Sequence, residues 1–389
     1  MRKRLVMMLA LAGMAPAAAA PWDGTIPQYQ LFPGDAQLDV GALASGAVFT
    51  STGHGDQNAS GVGKLMPRLH RDFDSGLSLG LDATIAASDV LSRGRYNGDV
   101  FEQAYGEART GLGKLEIGQT DGAAYQLAVT GPQVDPQVSL DDPQTTFFRD
   151  PSTKHAFTDI FALRTEVGAS SNYAKFVYLS PNVFGVQIAL SFTPNQGKDV
   201  LPFLREGPHV AGRQADIWEG ALKYSGDVGP VTLSAYGGAA LGRAEHKPVG
   251  QEGVSDLGTG ARADYAINDD LTLSLGGAWR QSNAYAFQIP RSFKSATTRV
   301  SDASAAVTYD SWVLGAEYGD GNAGQVPGAP HLALTGYQAS LGYNFSNSIE
   351  VSSGWQHQTY QRGTGLFYNN SPRIGLDAVF LHLTLKTAG

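Results

Sequence analysis

Apolar and polar residues alternate one by one along most of this chain, and this pattern limits the possible folds more than any other feature. In the clearest segment the apolar set is Leu77, Leu79, Leu81, Ala83 and Ile85, and the polar set between them is Ser78, Gly80, Asp82 and Thr84. Successive side chains of a β-strand point to opposite faces, so such a segment is predicted to be a strand with one apolar and one polar face. The spacing that predicts amphipathic helices, with apolar residues three and four apart, is almost absent after residue 20.

Sixteen segments of this kind recur, which predicts an even number of strands. Their approximate bounds are 37–50, 64–71, 76–86, 99–109, 114–120, 171–180, 183–193, 213–225, 230–241, 254–267, 270–282, 298–309, 312–319, 333–344, 349–358 and 374–387. Short turns, for example at 72–75 and 268–270, alternate strictly with longer polar loops. Bacterial outer-membrane barrels have this arrangement, with tight periplasmic turns and long outer loops, so both chain ends are expected on the periplasmic side.

The two faces of the segments favour a membrane over water as the surroundings. Backbone groups in hydrocarbon must all be paired, so a sheet can span lipid only if it closes on itself. Sixteen strands close into a barrel wide enough for an aqueous channel. Rings near the strand ends predict aromatic girdles at the two lipid boundaries: Tyr178, Trp218, Tyr224, Tyr265, Trp279, Tyr309, Trp312, Tyr318 and Trp355. The predicted fold is all-β, a sixteen-stranded antiparallel transmembrane β-barrel at the outer membrane of a Gram-negative bacterium.

The first twenty residues are predicted to be a secretory signal. Residues 1–20 combine a basic start, an apolar middle too short to span a membrane and a small-residue end, which is typical of a signal peptide. Residues 21–36 are read as an N-terminal extension of unknown role, and residues 37–389 as the barrel. Removal of Arg2, Lys3 and Arg4 with the signal changes the formal net charge from −8 to −11. A strongly basic surface for nucleic acid is therefore absent, and the lack of cysteine excludes disulfides and thiolate metal sites.

Two stretches on either side of one very long connection carry motifs of a known family. The first is Phe101-Glu102-Gln103-Ala104-Tyr105-Gly106-Glu107, continued by Leu112-Gly113-Lys114-Leu115-Glu116-Ile117-Gly118-Gln119. It resembles the fourth-to-fifth strand hairpin of the general bacterial porin family, whose members are trimeric, sixteen-stranded channels. The second, from Ser171 to Pro181 and on to Phe184-Gly185-Val186, is similar to the sixth strand and its Tyr-x-Ser/Thr-Pro turn. Together they cover about a tenth of the chain, and their order around one very long loop strengthens the likeness.

The sequence departs from the family at three points. Family members usually end in an aromatic residue, whereas the last strand here runs into residues 386–389, with Phe380 its only aromatic. Gln119 stands where many relatives carry a lumenal Arg, so the inner wall has less positive charge than is usual in the family. The acidic Pro-Glu-Phe-Gly-Gly-type motif of the third loop is missing.

The resemblance implies that the connection at about 120–170 is a third outer loop that folds into the barrel and narrows it. Connections of this length are usually functional. Its candidate constriction residues are Asp135, Asp141, Asp142, Arg149, Asp150 and Asp159. Alternation places a set of basic residues on the inner face, since a charge facing lipid would cost about 2–4 kcal/mol at the bilayer midplane. This predicted basic wall consists of Lys64, Arg68, His70, Lys175, Lys223, Arg262 and Arg280.

These features predict a porin that lets small hydrophilic solutes and ions diffuse passively, with a weak preference for cations. A solute-specific channel for sugar, phosphate or carboxylate is the alternative, and Arg68, Arg262 and Arg280 could begin the ladder of arginines that it needs. An outer-membrane enzyme would need a Ser–His constellation on the outer face, whereas His70 and His382 read as lumenal. No cofactor or metal site is predicted. The resemblance implies a homotrimer, and outer-membrane lipid and lipopolysaccharide are the expected surroundings.

Overall fold

The structure is a computed structural model. It describes residues 28–30, 36–52, 58–88, 101–141, 147–150, 156–159, 161–196, 213–246, 252–284, 293–323, 331–363, 367 and 369–387. The predicted signal peptide at 1–20 lies outside the described residues. Of the predicted extension, the described residues are 28–30 and 36.

Sixteen long antiparallel strands close into a barrel, and a short strand precedes them. The short strand β1 (Gln28–Gln30) pairs with β2 at residues 37–39. The barrel strands are β2 (Gln37–Ser51), β3 (Ala59–Asp72), β4 (Ser78–Ser88), β5 (Phe101–Thr110), β6 (Gly113–Gln119), β7 (Ala174–Leu179), β8 (Val186–Asn195), β9 (Gln214–Val228), β10 (Val231–Ala244), β11 (Ser255–Ala266), β12 (Leu271–Ala284), β13 (Phe293–Tyr309), β14 (Trp312–Ala323), β15 (Leu332–Ser346), β16 (Ile349–Arg362) and β17 (Arg373–Lys386). The ring closes where β17 pairs with β2, from Ala378 opposite Ser51 to Lys386 opposite Leu43.

The structure confirms the predicted barrel and shows where sequence alternation misjudged the strand ends. Strand β3 begins at Ala59, five residues before the predicted 64. The prediction missed this part because residues 59–63 do not alternate between apolar and polar side chains. Strand β7 begins at Ala174 rather than at 171. The preceding Ser171 has a positive φ of 42°, and its carbonyl is turned towards Lys175 instead of a neighbouring strand.

The outward face carries the aliphatic band and rings expected at a lipid boundary. Of the nine predicted girdle residues, eight are exposed and Trp279 is half-buried. Three strands each carry two outward rings six residues apart, which is about 20 Å along a strand: Trp218 with Tyr224, Trp312 with Tyr318, and Tyr337 with Tyr343. The rings therefore form two rows, one near the short turns and one towards the long loops, with leucines such as Leu222, Leu314 and Leu341 between them.

The long third loop, residues 120–173, folds into the barrel as predicted. It contains helix α1 (Ala123–Gln126) and a 3₁₀ turn at Phe157–Asp159. Its backbone lies so close to the inner wall that a Cβ added to Gly260 would stand 1.8 Å from the carbonyl oxygen of Val129. None of the described helices is long and apolar enough to cross a membrane.

Candidate pore constriction

The open space beside the third loop lies against β3–β5. A cavity of about 270 Å³ separates this part of the wall from the start and end of the loop. Because a water molecule occupies about 30 Å³, the cavity has room for several waters. Its lining includes Lys64, Thr84, Glu102, Gln103, Asp121 and Arg164. We call this space the conduit.

The basic residues predicted on β3 face inward, and each lies beside a carboxylate. Lys64 forms an ion pair of 2.9 Å with Glu102. Arg68 binds Glu107 and lies 3.6 Å from Asp82. Arg109 of β5 adds a second cation to the same Glu107, at 2.9 Å. The wall along the conduit therefore carries alternating charges rather than positive charge alone.

His70 lies towards the short-turn end of the same strand. Its Nδ1 is 3.4 Å from an oxygen of Asp39 on β2. Both side chains are largely buried, at 16% and 17% exposure. His70 therefore faces inward, as the alternation predicts. Its acidic neighbour Asp39 was not identified from the sequence pattern.

The remaining predicted basic residues lie under or beside the docked loop. Lys175 is 1% exposed and donates to the carbonyl oxygens of Thr120 and Ser171, so it ties the two ends of the loop together and does not face the conduit. Arg280 forms a buried two-bond pair with Asp256, at 2.8 and 2.5 Å. Arg262 pairs with Asp264, and Lys223 is half-buried on the inner face of β9.

The predicted acidic residues of the loop occupy several different environments. Asp135 is 1% exposed and accepts hydrogen bonds of 2.6 Å from His382 and from Ser352. Asp141 is 4% exposed and binds the amide and hydroxyl of Thr165 within the loop. These two carboxylates hold the loop in place and are not in the conduit. Arg149 and Asp150 are half-buried beside the loop's Arg149–Ala156 bridge, whereas Asp142 and the side chain of Asp159 lie outside the described residues.

The environment of Asp135 favours its charged form. Burial alone would raise the pKa of this carboxyl group. The hydrogen bond and positive charge of His382, with hydrogen bonds from Ser352 and the Gln137 amide, outweigh burial and leave the pKa of Asp135 below its ordinary value. Asp135 therefore acts as a charged anchor between the loop and strands β16 and β17.

Carboxylates on the wall hold the loop through its backbone, and sequence reasoning did not identify them. Glu219 of β9 accepts the amides of Ala124 at 3.3 Å and Ser170 at 3.1 Å, one at each end of the loop. Glu317 of β14 accepts the amide of Leu140 at 2.9 Å. Both occupy inward positions of alternating strands, which is the signal that could have identified them. Because they bind amides, the loop's own side chains give no sign of the contact.

A second set of loop contacts is apolar and lies on the sector of the wall next to the conduit, from β13 through β17 to β2. The lumenal apolar cluster joins loop residues to inward residues of β13–β17 and β2, and each is 9% exposed or less. Its members are Ala47, Phe49, Val138, Leu140, Phe147, Phe148, Phe157, Phe161, Leu163, Val300, Ala323, Leu332, Leu334, Tyr360, Phe367, Ile374, Leu376, Ala378 and Phe380. Phe380, the one aromatic of the last strand, is thus part of the interior.

The described residues contain a Ser, a His and an Asp in mutual contact, but not in a catalytic order. Ser352 and His382 both bind the same oxygen of Asp135. A nucleophilic serine requires the histidine between itself and the carboxylate. Across the described ranges, no group of three or more His, Cys, Asp or Glu is arranged to hold a metal ion.

Comparison with known proteins settles the family. A family model described as Gram-negative porin matches residues 5–380. The chain belongs to this family. As a Gram-negative porin with a sixteen-stranded barrel, it is an outer-membrane protein. The comparison with curated proteins found no match.

Solved structures of porins and of another outer membrane protein have the same fold. An anion-selective porin from Comamonas acidovorans is 12% identical with a TM-score of 0.58, over 90% of this chain and all of that one. OmpT, an outer membrane protein of Vibrio cholerae, is 11% identical with a TM-score of 0.54, over 92% of this chain and 99% of that one. A mutant of the Rh. blastica porin is 15% identical with a TM-score of 0.51, over 90% and 99%. At such identities the likeness concerns the fold.

Proposed function

We propose that this porin is a general diffusion channel for small hydrophilic solutes and ions, with a weak preference for cations. The observation that carries the proposal is the conduit, a gap lined by polar and charged side chains between the third loop and β3–β5. Its lining combines Lys64 and Arg164 with Glu102 and Asp121, together with amides such as Gln103. Such a lining replaces water contacts for many polar solutes and has no dedicated site for one of them.

Acidic groups beside the conduit support the preference for cations. Glu102 and Asp121 line it, and Asp82 and Glu107 lie next to it on β4 and β5. The Lys64 and Arg68 cations are each held by at least one of these carboxylates. A net negative charge of the whole chain attracts cations to the mouth of the channel.

Planar-bilayer recording of the purified protein tests the proposal. A stepwise conductance is expected, with a reversal potential under a salt gradient whose sign corresponds to cation selectivity. Liposome swelling with sugars of increasing size is expected to fall gradually with size, without saturation. A reversal potential of the opposite sign would overturn the cation preference, and saturable uptake of one solute would favour a specific channel.

The alternatives find less support in the arrangement of side chains. A solute-specific channel for phosphate or carboxylate would need unneutralised arginines, yet Arg68, Arg262 and Arg280 each bind a carboxylate. For an enzyme, the Ser352–Asp135–His382 contacts have the wrong order. Hydrolysis of ester or peptide substrates by the purified protein would separate the enzyme from the channel.

We further propose a homotrimer embedded in outer-membrane lipid and lipopolysaccharide, with its contacts on β2–β5. The outward residues described on these strands include no Trp or Tyr, and many are small, for example Ala44, Gly46, Gly63 and Ala104. Ala303 and Ala305 of β13 are also small and outward, but Ala303 lies opposite the girdle residue Tyr318 of β14. Light scattering of the detergent-solubilised protein is expected to give three times the mass of one chain.

A further inference from the structure

We infer that solutes cross this barrel by one off-centre conduit along β3–β5, and that the lumenal apolar cluster closes the adjoining sector of the described lumen, along β13–β17 and β2. The inference rests on the proposed channel function. It concerns which part of the inner wall touches water, and therefore which residues can select solutes.

The inner face of β17 changes character half-way along the strand. Its inward residues near the outer loops are Ile374, Leu376, Ala378 and Phe380, all 4% exposed or less. The next inward residue, His382, is polar. Inner positions that face water in a porin are polar. A run of four apolar inner positions therefore indicates that this sector does not face water.

The third loop covers this sector with aromatic rings. Phe147 stacks on Phe380 with ring centres 4.8 Å apart and meets Phe49 edge-on at 5.1 Å. Phe157 contacts Tyr360 at 5.1 Å and, from the last outer loop, Phe367 at 6.1 Å. The rings cover the inner face of the three adjacent strands β16, β17 and β2. Interlocked rings of this kind exclude water as a protein core does.

Hydrogen bonds between wall side chains and loop carbonyl groups complete the contact. Ser51 donates to the carbonyl oxygen of Phe147 at 2.9 Å, and the Tyr360 hydroxyl donates to that of Phe161 at 3.3 Å. Gln356 donates to that of Val138 at 3.3 Å. Loop carbonyl groups at the edge of the cluster are thus satisfied by the wall and do not require a water-filled space.

The wall also permits close approach by its glycines. A Cβ at Gly319 would stand 2.6 Å from Leu163, and one at Gly336 would stand 2.9 Å from Leu140. Both glycines are inward residues of β14 and β15. The loop therefore lies directly on the strands and leaves no layer of water between them.

Cysteine accessibility tests the inference, because the natural chain contains no cysteine. Ala378→Cys puts a thiol within the cluster, and Thr84→Cys puts one in the conduit as the matched control. The probe is a membrane-impermeant, positively charged methanethiosulfonate added to channels in planar bilayers. We expect the current of Thr84→Cys to fall on modification. Modification of Ala378→Cys is expected to be at least about tenfold slower, because a buried thiol is inert.

The outcomes separate this inference from the proposed function. If Ala378→Cys reacts as fast as Thr84→Cys and its current falls, the closed side does not exist, although the protein remains a channel. If the unmodified protein conducts no current, the proposed function itself fails.

A second variant tests what closes this side. Adding Phe147→Ala to Ala378→Cys is expected to raise the reaction rate at least about tenfold and to increase the conductance, because the ring that stacks on Phe380, the next inward residue of β17, has gone. Phe345→Ala is the matched control, since Phe345 is 64% exposed on the outer face, and it should change neither quantity. A thiol that stays unreactive without Phe147 would overturn the assignment of the closure to this loop aromatic.

Discussion

Two sectors of the inner wall follow the same alternation but differ in what the inward positions carry. Along β3–β5 these positions hold ion pairs such as Lys64–Glu102, which border the conduit. Along β11–β17 many hold glycine or apolar residues, and one charged pair, Arg280–Asp256, is buried. The comparison teaches that alternation alone does not decide whether an inner face contacts water. The face is excluded from water where the third loop packs on it.

The largest expected effect contrasts the buried pair with the conduit pair. Asp256→Asn leaves the charge of Arg280 with less compensation in a site where the two side chains are 0% and 5% exposed. The free energy of unfolding, measured by urea titration in lipid vesicles, is expected to fall by about 3–5 kcal/mol. Glu102→Gln, in a pair with 11% and 17% exposure that borders the conduit, should cost less, because water can reach the Lys64 cation there. Equal losses would remove the distinction between the two sectors.

A smaller effect is expected where the loop backbone touches the wall. Gly260→Ala adds a methyl group at 1.8 Å from the Val129 carbonyl oxygen, and that backbone atom cannot rotate away. The loop must shift, at a cost of about 1–3 kcal/mol. Urea unfolding should show this loss, and bilayer recordings should show more current noise. Gly237→Ala is the control on neighbouring β10, because nothing lies within 4 Å of its added Cβ. Identical behaviour of the two variants would contradict the close contact.

The Asp135 anchor predicts a dependence of loop docking on pH. The pKa of Asp135 in the folded protein lies below its ordinary value, so the charged form favours the folded state. This contribution is complete above about pH 4, the ordinary value for Asp, and is lost as the pH falls through the lowered pKa. Unfolding free energies should therefore fall on acidification. In Asp135→Asn this part of the pH dependence should disappear, and an unchanged slope would contradict the anchor.

The smallest effect concerns ion selectivity at the conduit. Glu102→Gln should lower the cation-to-anion permeability ratio, and Lys64→Gln should raise it. One charge about 4 Å away in water is worth about 1 kcal/mol, so each change should be about fivefold or less. Reversal potentials under a salt gradient measure both. Shifts of the same sign in the two variants would show that the pair does not border the path of ions.

The strands could be predicted from the sequence because the membrane imposes alternation on them. Lipid on one side and water or the loop on the other leave little freedom at each position, as in β15 and β17. Where that constraint ends, the predicted strand ends are wrong by several residues. At the outer ends of β3 and β13, residues 59–63 and 293–297 continue the strand without alternating between apolar and polar side chains.

The inward direction of Lys64, Arg68 and Arg280 could be predicted, but their partners could not. Alternation predicts which face of the sheet a side chain lies on. It predicts neither the height of that side chain along the barrel axis nor its register with the neighbouring strand. Asp256 lies beside Arg280 only through the pairing of β11 with β12, which brings Leu257 opposite Gln281. The contacts of Glu219 and Glu317 with loop amides were unpredictable for a different reason, since every residue except proline offers the same N–H group.

The anchoring points of the third loop have a mechanical consequence. They lie on β9, β14, β16, β17 and β2, so the loop crosses the barrel and is fastened on well-separated parts of its circumference. A hollow cylinder of this width can flatten into an ellipse when the bilayer presses on it sideways. Here flattening would tear hydrogen bonds and aromatic contacts at both ends of an internal brace. The bore is therefore expected to keep its diameter when membrane tension changes.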